Sequence, residues 1–155
     1  FEETERYLAI IILLAGFNQY RNLREPIAIY GSALLFGLSH LGNVGWNGET
    51  FEATIAQVIG VMESGFLWAV LYLYSGKLWL PMIFHFLMDY LANLQSGWNS
   101  AGWQFNSWAT DYISEVLMVL VPLAVTVWMM YGKRREVLEE NADRLMNLSP
   151  EFNRH

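Results

Sequence analysis

Cysteine is missing from the chain altogether. That excludes a disulfide framework, a thiolate nucleophile and any zinc or iron-sulfur site built on cysteine. Basic residues are scarce as well: 9 Lys and Arg stand against 15 Asp and Glu, for a formal charge of −6. A phosphate backbone is held by clustered Lys and Arg that displace its counterions, so nucleic acid is excluded as a partner. No initiator Met opens the chain, and no basic flank, short apolar run and small-residue cleavage site follows Phe1. Upstream residues, with helices among them, are therefore expected before Phe1. Internal repeats, low-complexity blocks and a second domain are also lacking.

What the chain has in excess is hydrocarbon. Of its 155 residues 54% are hydrophobic, and the mean hydropathy is +0.24, which is too apolar for an ordinary soluble domain of this size. The sequence predicts an all-α membrane helix bundle. Five apolar segments of about 17 to 25 residues, the length a helix needs to cross a bilayer, run from Glu2 to Tyr20, Pro26 to Leu41, Phe51 to Tyr74, Leu78 to Gln95 and Asp111 to Tyr131. Between the fourth and fifth, "SGWNSAGWQFNSW" is rich in Gly, Ser and Asn with Trp98, Trp103 and Trp108, the pattern of a loop on the membrane surface. Residues 1–131 thus form the bundle, and 132–155 a charged tail. Val137, Leu138, Leu145 and Met146 recur there at helical spacing, which predicts a short amphipathic helix outside the membrane whose acids form a solvated face.

Charge gives an orientation. With five alternating spans, Arg21, Arg24, Lys77, Lys133, Arg134 and Arg135 all flank one side, and the opposite loops hold no Lys or Arg. By the positive-inside tendency that side, and the C-terminus with it, is cytoplasmic. Membrane lipid is then an unavoidable partner.

Ionisable groups inside such spans are costly unless they face a partner or a water-filled cavity. Few are present: Glu2, Glu3, Glu5 and Arg6 at the start of the first segment, His40 at the end of the second, Glu63 within the third, and His85 and Asp89 in the fourth, with Asn93 one turn further. His85 and Asp89 are four residues apart and share a helical face. An acid, two histidines and a second polar group can hold and deprotonate a water and donate to an oxyanion, a set that suits hydrolysis. Plainer roles are open to each residue. His40 can be a satisfied interfacial side chain, and His85 with Asp89 a pair locking two helices together. Glu63, following Gln57 and Gly60 on a face suited to close helix contact, reads first as a packing or cavity residue. Haem held by His40 and His85 is chemically open, but no further cofactor signature accompanies it.

Two stretches carry a resemblance. "FGLSH", Phe36 to His40, resembles the FxxxH motif of the CAAX protease and bacteriocin-processing family of intramembrane endopeptidases. "YLYSGKLWLPMIFHFLMDY" resembles its later segment, with Tyr72, Gly76, Leu78, Trp79, Pro81, His85 and Asp89 in order. The opening "FEETER" resembles the family's EExxxR element, with Arg one position early. In one register Glu2 and Glu3 are the motif pair, and Arg6 pairs with either at i+4 or i+3. In the other, Arg6 sets the register, Glu2 becomes the second Glu, Phe1 replaces the water-activating first, and the chain would be catalytically silent. The "FEET" lead-in favours the former.

The resemblance implies peptide-bond hydrolysis at the membrane, with Glu2 activating water beside Glu3, His40 helping to position it, and His85 and Asp89 stabilising the oxyanion. Burial would keep the Asp89 acid able to donate. Arg6, Phe36, Glu63 and Asn93 would support the site. The substrate would be a hydrophobic or lipidated peptide. No cofactor is expected, although Zn²⁺ is possible, and His40, His85 and Glu2 would then be its ligands. The alternative is a catalytically silent subunit or immunity-type protein that binds a membrane protein partner in the bilayer.

Overall fold

The computed structural model describes residues 2–45, 50–100 and 108–147. Within them the chain is all-α: α1 (Glu2–Gly16), α2 (Arg24–Ser39), a single 3-10 turn (His40–Asn43), α3 (Phe51–Ser75), α4 (Trp79–Ser100), α5 (Trp108–Met129) and α6 (Lys133–Asn147). No strand occurs among the described residues.

α3 is the centre of the bundle and contacts every other helix. Its limits follow from local chemistry. At its start the Thr50 hydroxyl accepts the Ala53 N–H at 3.2 Å, and Glu52 in the first turn complements the helix dipole. At its end Gly76 adopts φ +64° and returns its N–H to the Tyr72 carbonyl at 2.7 Å, a left-handed cap that glycine takes without strain. The same Gly76 admits the Arg144 guanidinium of α6 to the space a Cβ would fill.

Among the described residues α3 alone is long and apolar enough to cross a membrane. α1 and α2, of 15 and 16 residues, are shorter than the roughly 20 residues of an untilted span. The first segment stops at Gly16 instead of Tyr20, and turns cover Phe17 to Gln19 and Arg21 to Leu23. The fourth runs further than expected: α4 continues through "SGWNS" to Ser100 and α5 begins at Trp108. Part of the expected surface loop is therefore helical, while Trp103 lies outside the described residues. Outward-facing apolar side chains such as Ile12 (59% exposed) and Phe86 (66%) give the bundle an oily exterior, as lipid contact requires.

The tail departs most from expectation. α6 is amphipathic, but its apolar face is part of the core: Leu138, Ala142, Leu145 and Met146 are buried with Ile10 and Leu14 of α1, Ala28 and Ile29 of α2, and Ala69 and Leu73 of α3. Burying Leu138 alone is worth about 1.5–3 kcal/mol. Nor do all its acids form a solvated face, since Asp143 bonds Arg24 at 2.7 Å and Arg21 at 3.1 Å.

The close contact of α2 with α3 uses glycines other than Gly60, which has open space around it. A Cβ on Gly37 would strike Met62 and lie 3.1 Å from the Val58 carbonyl, and one on Gly65 would lie 3.0 Å from the Ala33 side chain. Small residues let the two backbones approach. That approach sets the position of Phe36 and His40 at the end of α2.

Candidate active site

The first turns of α1 supply a buried ion pair, Glu3 with Arg6, three residues apart and 8% and 2% exposed. Two charges out of water need further partners. Glu3 finds one on α4, where its Oε1 lies 2.9 Å from Nδ1 of His85. A ring nitrogen facing a carboxylate is the protonated one, so Nδ1–H donates to Glu3. The other nitrogen, Nε2, lies 3.6 Å from an Asp89 carboxylate oxygen. The His85 ring is thus bracketed by two carboxylates. Packing on both flanks holds this arrangement: Trp68 of α3 stacks on Phe84 with centroids 6.1 Å apart, and Tyr7 meets Tyr72 edge-on at 5.2 Å.

Asp89 does not have the burial expected of it, for its side chain is 68% exposed. Asn93 donates its amide to the Asp89 backbone carbonyl at 2.8 Å and is occupied within its own helix.

Arg6 connects this cluster to the second histidine. Its guanidinium lies over the Phe36 ring, 4.4 Å from the centroid, a cation–π contact. Phe36 meets the His40 ring edge-on at 5.0 Å, and His40 Nδ1 lies 3.0 Å from the Phe36 carbonyl. That bond fixes the tautomer, with Nδ1–H as donor and the lone pair on Nε2. Glu3, Arg6, Phe36, His40, His85 and Asp89 therefore form one continuous chain of contacts. Glu63 is half-buried on α3 and has no part in it. Glu2 belongs to α1, and the described side chains begin with Glu3.

His40 lines a pocket of about 300 Å³ together with Glu5, Phe36, Ser39, Asn43 and Gln57. A second, of about 150 Å³, lies beside it and shares Glu5, Phe36 and Ser39, adding Arg6, Ala9 and Leu35. A polar compartment thus adjoins a more apolar one. Asn43 and Gln57 hydrogen-bond each other at 3.0 Å across the polar one. Sequence reasoning passed over Glu5, Ser39, Asn43 and Gln57 as site residues. One signal for Asn43 was available: it stands three residues after His40, and a 3-10 turn stacks such positions.

Of the three zinc donors named from sequence, the two with described side chains meet different partners, His40 the Phe36 carbonyl and His85 the carboxylates. Among the described residues no three His, Asp or Glu side chains gather into a metal-holding group.

Comparison with known proteins gives one match. The family model described as "Type II CAAX prenyl endopeptidase Rce1-like" covers residues 4–91, more than half the chain. That span includes Glu5, Arg6, Phe36, His40, Glu63, His85 and Asp89, begins just past Glu2 and Glu3, and ends before Asn93. No curated protein and no solved structure matches.

Proposed function

The chain belongs to the Rce1-like family of type II CAAX prenyl endopeptidases, and from that premise we propose that it hydrolyses a peptide bond in a membrane-associated substrate of CAAX or bacteriocin type. The family is one of CAAX-type intramembrane endopeptidases. For catalysis by this chain the supporting observation is the 2.9 Å contact of Glu3 with His85, which joins the motif of α1 to the motif of α4 across 82 positions.

In this reading the work is divided between the two ends of the contact chain. A glutamate in the opening turns of α1 activates water beside His40, whose Nε2 lone pair accepts one water hydrogen. Glu3, engaged by both Arg6 and His85, is a positioning residue that holds the imidazole. His85, protonated on both nitrogens between the two carboxylates, keeps Nδ1–H on Glu3 and presents Nε2–H to the developing oxyanion in the place where Asp89 now sits. Asp89 keeps that nitrogen oriented until substrate enters. The apolar compartment by Ala9 and Leu35 suits a hydrophobic or lipidated segment of the substrate. The wider setting proposed is a five-span bundle with α6 at the cytoplasmic face. No cofactor enters this scheme.

One observation favours a second reading. The family match starts at Thr4, beyond the glutamate pair, as it would in a silent family member or immunity-type protein that keeps the fold and binds a membrane partner. Single replacement of Glu2, Glu3, His40 and His85 by Ala or Gln, with cleavage of a membrane-embedded reporter peptide and protein level both measured, separates the two. Loss of cleavage at normal protein level supports the peptidase, and unchanged processing in all four variants overturns it.

A further inference from the structure

Resting on the peptidase reading above, we propose that Glu5 is the water-activating carboxylate of this chain. The opening of α1 offers three glutamates within four positions, Glu2, Glu3 and Glu5, and the two with described side chains, Glu3 and Glu5, differ in their surroundings. Glu3 is buried, ion-paired with Arg6 and bonded to His85. Both bonds fall on its Oε1 and the Arg6 guanidinium compensates its charge, so Glu3 is held in place as the support of the His85 imidazole. Glu5 is exposed and lines the same pocket as His40. It also lines the adjoining compartment with Ala9 and Leu35, so it stands where the polar and apolar spaces meet.

Glu5 and Ala9 are four residues apart on α1 and share a face. Both line the apolar compartment together with Leu35, Phe36 and Ser39 at the end of α2.

The chemistry closes on the groups present. A water in the pocket donates one hydrogen to the Glu5 carboxylate and the other to His40 Nε2, which is an acceptor because Nδ1–H is bound to the Phe36 carbonyl. The water oxygen bonds to the scissile carbonyl carbon as Glu5 takes its proton. When the C–N bond breaks, Glu5 returns that proton to the leaving amine. Asn43 donates its amide to the Gln57 carbonyl across the pocket, which leaves the Asn43 carbonyl and the Gln57 amide N–H groups to face the substrate backbone.

The test uses the whole chain in lipid nanodiscs with a membrane-embedded reporter peptide, comparing Glu5→Gln, Glu5→Asp, Glu2→Gln and His40→Ala. Glu5→Gln is expected to lower kcat by about 100-fold or more, the scale of a lost general base, with KM little changed. Glu5→Asp is expected to recover part of the loss, and Glu2→Gln to cost at least about tenfold less than Glu5→Gln. The exposed position of Glu5 predicts an unaltered thermal midpoint. Loss in Glu2→Gln equal to or greater than that in Glu5→Gln overturns the assignment, as does parental activity of Glu5→Gln alongside a dead His40→Ala. A parent chain that cleaves no membrane reporter overturns the peptidase reading and the role of Glu5 with it.

Discussion

Arg24 at the start of α2 and Asp143 in α6 stand 119 positions apart, yet their side chains meet at 2.7 Å. Arg24 is fully buried, and it also bonds Glu25 at 2.7 Å and Asn18 at 2.9 Å. The pair fastens the final helix to the ends of the first two, and Arg135 adds a bond to the Asn22 carbonyl at 3.0 Å. α6 is thus a structural member of the bundle.

A pH dependence follows from that pair. Burial by itself would push the Asp143 carboxyl up, but hydrogen bonds and charge from Arg24 and Arg21 outweigh it and hold the group below its ordinary value. A folded-state pKa below the unfolded value of about 3.9 makes the ion pair stabilising above that pH, and the contribution is lost as pH falls further through the folded value. Thermal unfolding of the parent in nanodiscs should therefore lose stability below about pH 4, and Asp143→Asn should lack that part of the slope. Its cost at neutral pH should be about 1–2 kcal/mol, less than for a fully buried broken pair because Asp143 is more than a third exposed. An Asp143→Asn variant with the parental slope and midpoint would rule this out.

Glu3 and His85 should act as a unit. Glu3→Gln is expected to lower kcat by misorienting the imidazole, and His85→Ala by removing it. Combining the two should cost little more than His85→Ala alone, a coupling of about 0.5–3 kcal/mol in a double-mutant cycle. Additive losses would mean that the 2.9 Å contact has no catalytic consequence.

How far the sequence reached can be judged at these same residues. "FGLSH" and "HFLMD" gave the helix that leads into His40 and the helix that carries His85, because their spacing and the Pro81 lead-in are local features. The limits Phe51 and Tyr74 came from the apolar run, and the Thr50 and Gly76 caps of α3 match them to within one residue. The docking of α6 was not legible, since Leu138 and Asp143 read as an ordinary amphipathic pattern until Arg24 is placed opposite them. The glycines show the same limit: Gly60 looked suited to a helix contact, but whether Gly37, Gly60 or Gly65 makes it depends on rotation about α3, which composition does not encode. Likewise, the motif singled out Glu2 and Glu3 in "EETE", and the place of Glu5 in the His40 pocket became visible only once the end of α2 stood beside it.

The absence of cysteine makes the topology directly measurable. Single cysteines at Lys77 and Lys133 should react with a membrane-impermeant maleimide from one side of sealed vesicles. A cysteine at Gly42, where added atoms meet nothing within 4 Å, should react from the other. The cysteine-free parent sets the background at zero. Labelling of all three from a single side would overturn the five-span arrangement.

Gly37 gives the sharpest link between packing and site. A methyl there meets Met62 and the Val58 carbonyl, so Gly37→Ala must push α2 off α3 or force Met62 into another rotamer, at about 1–3 kcal/mol. Because Phe36 precedes this position and His40 lies three residues beyond, the displacement reaches the His40 pocket, and cleavage should fall further than the stability loss explains. Gly60→Ala is the matched control on the facing helix. With open space around it, it should be neutral or stabilising by about 0.5–1 kcal/mol through helix propensity. Thermal midpoints and reporter cleavage in nanodiscs check both, and equal behaviour of the two variants would contradict the α2–α3 contact described above.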